Sequence, residues 1–268
     1  SLDNTVVVYT AANGSVMVAG AGNTTINGSG APLMLASNGS PTSLNVSLGA
    51  GNDQLVLAGI NASTLNIETG SGQDVVAIDS VVTSGSTTLN NSSGVDEHRI
   101  HNSELGSLNV NTGGLLSLQD TDVNGGLDVN GNDTPTTVFV QRSTVDGAVD
   151  IRTGNVADSI IANRSSFGSN VSVNSGNGND LMTLRASSVA GNITADGRGG
   201  NDQIGLSNGS TVGGTATARG GSGSDTFATD GTVSGTPTLN RIETTINSDL
   251  ENLIDLALSN FDDLLIEN

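Results

Sequence analysis

An echo with a period of about 22 residues runs through most of this chain and constrains its fold more than any other feature. The clearest copies occupy residues 44–57, 171–184 and 193–206. Each reads as a short alternating strand, a glycine-rich corner ending in Asp, and a second short strand. Leu44-Asn45-Val46 leads through Gly49-Ala50-Gly51-Asn52-Asp53 to Leu55-Val56-Leu57. Val171-Ser172-Val173 leads through Gly176-Asn177-Gly178-Asn179-Asp180 to Met182-Thr183-Leu184. A unit this short cannot bury an apolar face alone. Repeated at a fixed interval, it does so against its neighbours, which is the logic of a solenoid.

Aligning the copies gives three apolar columns. The first holds pairs two residues apart, such as Leu44 and Val46, Leu108 and Val110, Val171 and Val173; period-two alternation puts both members on one face. The second lies two and four residues after the acidic corner, as in Leu55 and Leu57, Val76 and Ile78, Met182 and Leu184. The third has one residue per coil, clearest at Leu105, Val123, Val145, Phe167, Val189, Val212 and Val233. Three columns per turn specify a three-sided prism whose hydrogen bonds run along its axis, with about 4.8 Å between coils. The expected fold is all-β: a right-handed parallel β-helix of about ten or eleven coils, the hand following from the usual sense of parallel crossovers.

The repeats fill residues 44–240. Residues 1–43 read as irregular N-terminal coils or a cap, with Val16-Met17-Val18 as a worn copy of the unit. Residues 241–268 change character: Ile246, Leu250, Leu253, Ile254, Ala257, Phe261, Leu264 and Leu265 recur at helical spacing, and Ser248-Asp249-Leu250-Glu251 has the form of a capping box. An amphipathic helix is expected there. It either covers the last coil, whose open strand edges would otherwise invite aggregation, or mediates self-association.

Composition supports a narrow coil over an ordinary domain. Aromatics make up 2% of the chain, with no Trp and no Cys, so there is neither bulk for a thick core nor a disulfide to replace one. The 37 glycines serve the corners. Eight basic residues against 27 acidic ones give a formal net charge of −19, which argues against nucleic acid and against anionic membranes as partners. No stretch has the roughly 20 apolar residues of a bilayer span, and membrane insertion is not expected.

The acidic corner is the best candidate for chemistry. Gly-X-Gly-X-Asp recurs at Gly49 to Asp53, Gly70 to Asp74, Gly176 to Asp180 and Gly221 to Asp225, with Gly199-Gly200-Asn201-Asp202 as a variant. Asp53 and Asp74 should lie one strand spacing apart, and Asp180, Asp202 and Asp225 should form a similar ladder. Two accounts fit. A bridging cation relieves the repulsion between stacked carboxylates, or each Asp accepts a hydrogen bond from a backbone N–H of its own turn. The ladder is expected to break where Leu115 replaces the acid and near Asp133.

Gly220-Gly221-Ser222-Gly223-Ser224-Asp225-Thr226-Phe227-Ala228 resembles the nonapeptide of RTX (hemolysin-type) calcium-binding proteins. That resemblance implies Ca2+ held by Asp53, Asp74, Asp180, Asp202 and Asp225 together with glycine-loop carbonyls. RTX motifs follow one another every nine residues, whereas these recur about every 22. Over residues 44–240 the chain is also similar to long secreted β-solenoid repeats of environmental bacteria. This likeness implies an extracellular or cell-surface structural role.

Two further features invite a functional reading. Residues 96–104 hold both histidines, and strand phase turns His98 inward beside Ile100 and His101 outward, so the rings do not converge. Alternation projects Phe139 and Ile161 outward from adjacent coils as an exposed apolar pair suited to lateral packing. No catalytic residue is assigned, and a polysaccharide-acting β-helix enzyme is the least favoured reading. The expected function is a self-associating subunit or stalk of a bacterial surface layer, fibre or filament, with itself as partner. The alternative is a calcium-dependent adhesin or a rod that binds surface glycans.

Overall fold

The computed structural model describes residues 3–37 and 42–246. Within them the chain is an all-β solenoid made of three sheets, of 13, 10 and 9 strands. We call these the long, middle and short sheets. A typical coil runs Val171–Asn174 in the middle sheet, Leu181–Arg185 in the long sheet and Ser188–Val189 in the short sheet. Each residue pairs in parallel with its counterpart one coil away. Val171 lies between Val149 and Ile193, Met182 between Ile160 and Ile204, and Val189 between Phe167 and Val212. The nine strands of the short sheet mark nine coils that cross all three sides.

The three apolar columns meet inside the prism as one continuous core, from Val8 and Leu44 to Ala218 and Phe227. Each fully buried Leu, Ile or Val in it contributes about 1.5–3 kcal/mol. Leu, Ile and Val fill most of it, with Phe167 and Phe227 as its aromatic members. His98 occupies a core position in register between Val76 and Leu116, and it is fully buried. Burial pushes its imidazole pKa down to about 4, so it is neutral at pH 7.

Both ends depart from expectation. Thr5–Thr10 joins Gln54–Ala58 in parallel, like a coil strand. Val16–Gly20 then returns antiparallel to it instead of forming a worn coil. The cause is a tight turn closed by Ala11 N–H to Ser15 O and Gly14 N–H to Ala11 O, with Gly14 at φ 80°. It reverses the chain before a coil can form. Leu33–Ala36 is antiparallel to Val16–Gly20 and so runs in the same direction as the coil strands, at the edge of the long sheet. At the other end Thr244–Ile246 is a further strand of the long sheet, so the repeat extends beyond residue 240. The amphipathic helix expected beyond it lies outside the described residues.

Candidate functional site

The acidic corner joins the middle sheet to the long sheet, and its glycines are there for lack of room. A Cβ on Gly70 would lie 1.5 Å from the Gly49 carbonyl oxygen, and one on Gly200 would lie 1.5 Å from that of Gly178. Their φ values of 98° and 129° are also ones that L side chains rarely adopt. Successive corners therefore stack backbone on backbone, which brings successive Asp residues together.

The carboxylates form a ladder between coils. Asp74 Oδ1 accepts the N–H of Asp53 at 2.7 Å, and Asp96 Oδ1 that of Asp74 at 2.9 Å. A second run begins with Asp158 Oδ1 accepting from Thr136 N–H at 2.7 Å. It continues through Asp180, Asp202 and Asp225, which accept from Asp158, Asp180 and Asp202 at 2.9, 3.0 and 2.9 Å. Glu243 ends it by accepting the Asp225 N–H at 2.7 Å. Through Oδ1 each acid thus satisfies the backbone of the preceding coil. The reason is register: the N–H at this position points along the axis, where the next coil supplies the acceptor.

The five expected acids, Asp53, Asp74, Asp180, Asp202 and Asp225, all stand in this column. Asp96 and Asp158 belong to it as well. The corners before them, Ser92-Ser93-Gly94-Val95 and Gly154-Asn155-Val156-Ala157, lack the Gly-X-Gly pattern that drew attention to the others. The usable signal was position, since both acids stand two residues before an inward side chain, His98 and Ile160. At the break, Gly114 rather than Leu115 occupies the acid's register, and Thr136 follows it. There the Asp96 N–H turns to the Gly113 carbonyl instead.

The second carboxyl oxygen is the unusual feature. Oδ2 of Asp53, Asp74, Asp158, Asp180, Asp202 and Asp225 is buried with no hydrogen-bond partner. It turns into the corner, where a Cβ on Gly197 would come within 2.1 Å of Asp202 Oδ2. Burial raises the pKa of Asp74, Asp158 and Asp180 above the usual carboxylate range and pushes Asp96 and Asp202 to about 6. The neighbouring acid adds to this for Asp74, Asp96, Asp180 and Asp202. Calcium takes six to eight oxygen ligands. The column offers one uncommitted oxygen per coil, shut off from solvent, and no three metal-ligating side chains converge among the described residues. What the geometry shows is a column of backbone acceptors, each with its Oδ1 committed to a neighbouring coil.

The opposite end of each long-sheet strand carries a second ladder that the sequence did not disclose. Ser143 Oγ accepts the N–H of Thr121, Ser165 that of Ser143, Ser187 that of Ser165 and Ser210 that of Ser187, at 2.9–3.3 Å. Each hydroxyl also donates to a carbonyl of its own corner, such as Ser187 to Arg185 O at 2.7 Å. On its exposed flank His101 Nδ1 lies 2.8 Å from Asp79, and Arg142 makes two bonds to Asp120 at 2.7 and 2.8 Å. That guanidinium holds the Asp120 carboxyl below its usual range. As expected, His98 and His101 face apart.

No family model matches this chain, and neither the curated proteins nor the solved structures hold a match to it.

Proposed function

We propose that this chain is a self-associating structural subunit or stalk of an extracellular bacterial surface layer, fibre or filament. One observation carries the reading: the long sheet ends in an open edge strand, Leu33–Ala36, with three consecutive apolar side chains turned to solvent. Leu33, Met34 and Leu35 are 41%, 54% and 47% exposed. Soluble proteins blunt such edges with charge, Pro or a cover. This edge carries none of these at those three positions, and it runs in the same direction as the coil strands, so a strand of another copy continues the sheet through it. The likeness to secreted β-solenoid repeats supports an extracellular place for it.

Electron microscopy of the purified chain, with calcium and then with excess chelator, tests the reading. Ordered filaments or sheets are expected, and Met34→Lys should abolish them while leaving the circular dichroism of the rod unchanged. Isolated short rods in every condition would overturn it. Assembly lost only on chelation would move the weight to the competing proposal of a calcium-dependent rod.

A further inference from the structure

The outer face of the long sheet is buried over part of its length, and the three sheets do not explain why. Val138 and Val140 point into the core, so Phe139 points out. Its column runs Ser117, Phe139, Ile161, Thr183, Gly205, Ala228 in register. Phe139, Ile161 and Ala228 are each 1% exposed, yet none belongs to the interior core. Further toward the N-terminal end, Val56, Ala77 and Arg99 in the same column are only half-buried. The expected exposed pair, Phe139 and Ile161, is therefore a covered pair. Every described strand already forms a side of the prism, and its extensive contacts are with ladder neighbours.

We infer that residues 247–268 of the same chain dock on this face. Three observations commit the site to that occupant. The segment begins directly after Ile246, which is in register with Ala228 and so stands at the end of this very column. Its length matches: read as a helix, it spans about 33 Å at 1.5 Å per residue. The covered column crosses five strand spacings, about 24 Å. Its chemistry matches too, because the apolar side of its helical pattern, from Leu250 and Leu253 to Leu264 and Leu265, complements Phe139 and Ile161. Gly205 and Ala228 let a helix approach closely near the hinge. The acidic side, with Asp249, Asp255 and Asp262, stays toward water. Covering the last coil would instead leave the outer face bare. The inference is independent of the structural role proposed above.

The test uses the full chain, which has no native cysteine. A thiol is introduced by Ile161→Cys, and its labelling rate is compared with that of Ser172→Cys on an exposed site. Labelling at position 161 is expected to be about 100-fold slower, reporting local opening. Adding Leu253→Asp and Ala257→Asp should restore it to within about tenfold of the exposed site. A thiol placed in the core by Val140→Cys should stay unreactive throughout, showing that the rod remains folded. Fast labelling at 161 in the otherwise unchanged chain would overturn the inference. So would protection that survives the two Asp substitutions, or protection that scales with protein concentration, which would assign the cover to a second copy. Thr183→Cys, in the same column, serves if the first variant does not fold.

Discussion

At the two ends of each long-sheet strand the fold meets one problem, a row of buried N–H groups pointing along the axis, and meets it differently. At one corner the acceptor is a carboxylate, as when Asp180 accepts from Asp158. At the other it is a hydroxyl, as when Ser187 accepts from Ser165. The hydroxyl returns its own proton to a nearby carbonyl and leaves nothing unmet. The carboxylate has an oxygen to spare, and most of those oxygens are buried without a partner. Backbone geometry differs in parallel. The Asp corner mostly uses glycines, at φ of 84° to 143°, with Arg198 at φ 64° as an exception, whereas the Ser corner uses Arg142, Arg164 and Ala186 near φ 50°. A hydroxyl ladder is therefore insensitive to pH and freely tolerant of side chains, while the carboxylate ladder responds to pH and leaves little room for side chains at its glycines.

The largest expected break in this contrast is Gly200→Ala. It drives a Cβ into the Gly178 carbonyl and should cost at least about 3 kcal/mol in urea unfolding. At the Ser corner the opposite exchange, Ala186→Gly, should stabilise by about 1 kcal/mol, because it removes a left-handed Ala. Equal effects at the two corners would erase the distinction.

The next effect is that of pH. The raised carboxyls hold their protons more tightly folded than unfolded, so their stabilisation is complete below pH 3.8 and is lost as pH rises through about 6. His98 acts the other way. Its contribution is complete above 6.5 and is lost as pH falls through about 4. Raised carboxyls outnumber this imidazole, so the unfolding free energy from urea titration should be higher at pH 5 than at pH 7.5, by about 1 kcal/mol once the opposing His98 contribution is subtracted. Substituting His98→Leu should steepen the rise. A midpoint that is flat or falls toward pH 5 would show the column to be ionised and neutralised by other means.

Smaller and more diagnostic is Asp180→Ala, which leaves the Asp158 N–H unmet and should cost about 1–3 kcal/mol. Asp180→Asn keeps an acceptor without the buried charge. It should match or exceed the parent at pH 7.5 and lose that advantage at pH 4.5. Smallest is Ser165→Ala, with a cost of about 1 kcal/mol that stays constant across that pH range.

What the sequence revealed and what it hid follow the same physics. Columns such as Leu55, Val76 and Met182 were legible because burial demands apolar residues at every turn. The Gly-X-Gly-X-Asp corners were legible because close backbone approach excludes other residues. Asp96 and Asp158 escaped notice because their corners take other routes to the same register; the bulges around Asn91 are one such route. The Ser ladder was hidden in a composition rich in Ser, where one more hydroxyl per coil carries no signal. The burial of Phe139 and Ile161 could not be read from alternation, which says which face a side chain is on but not what lies against it.

Because the hydrogen bonds of all three sheets lie along the rod, tension between its ends loads them in series, one rung after another. Such a rod unzips instead of shearing. Each coil that peels away releases roughly 75 Å of chain at the extended length of 3.3–3.6 Å per residue. Where the two side-chain ladders run, they add a catch at both ends of a long-sheet strand. Under load the molecule would therefore lengthen in even steps, dissipating work coil by coil while the remaining coils stay intact.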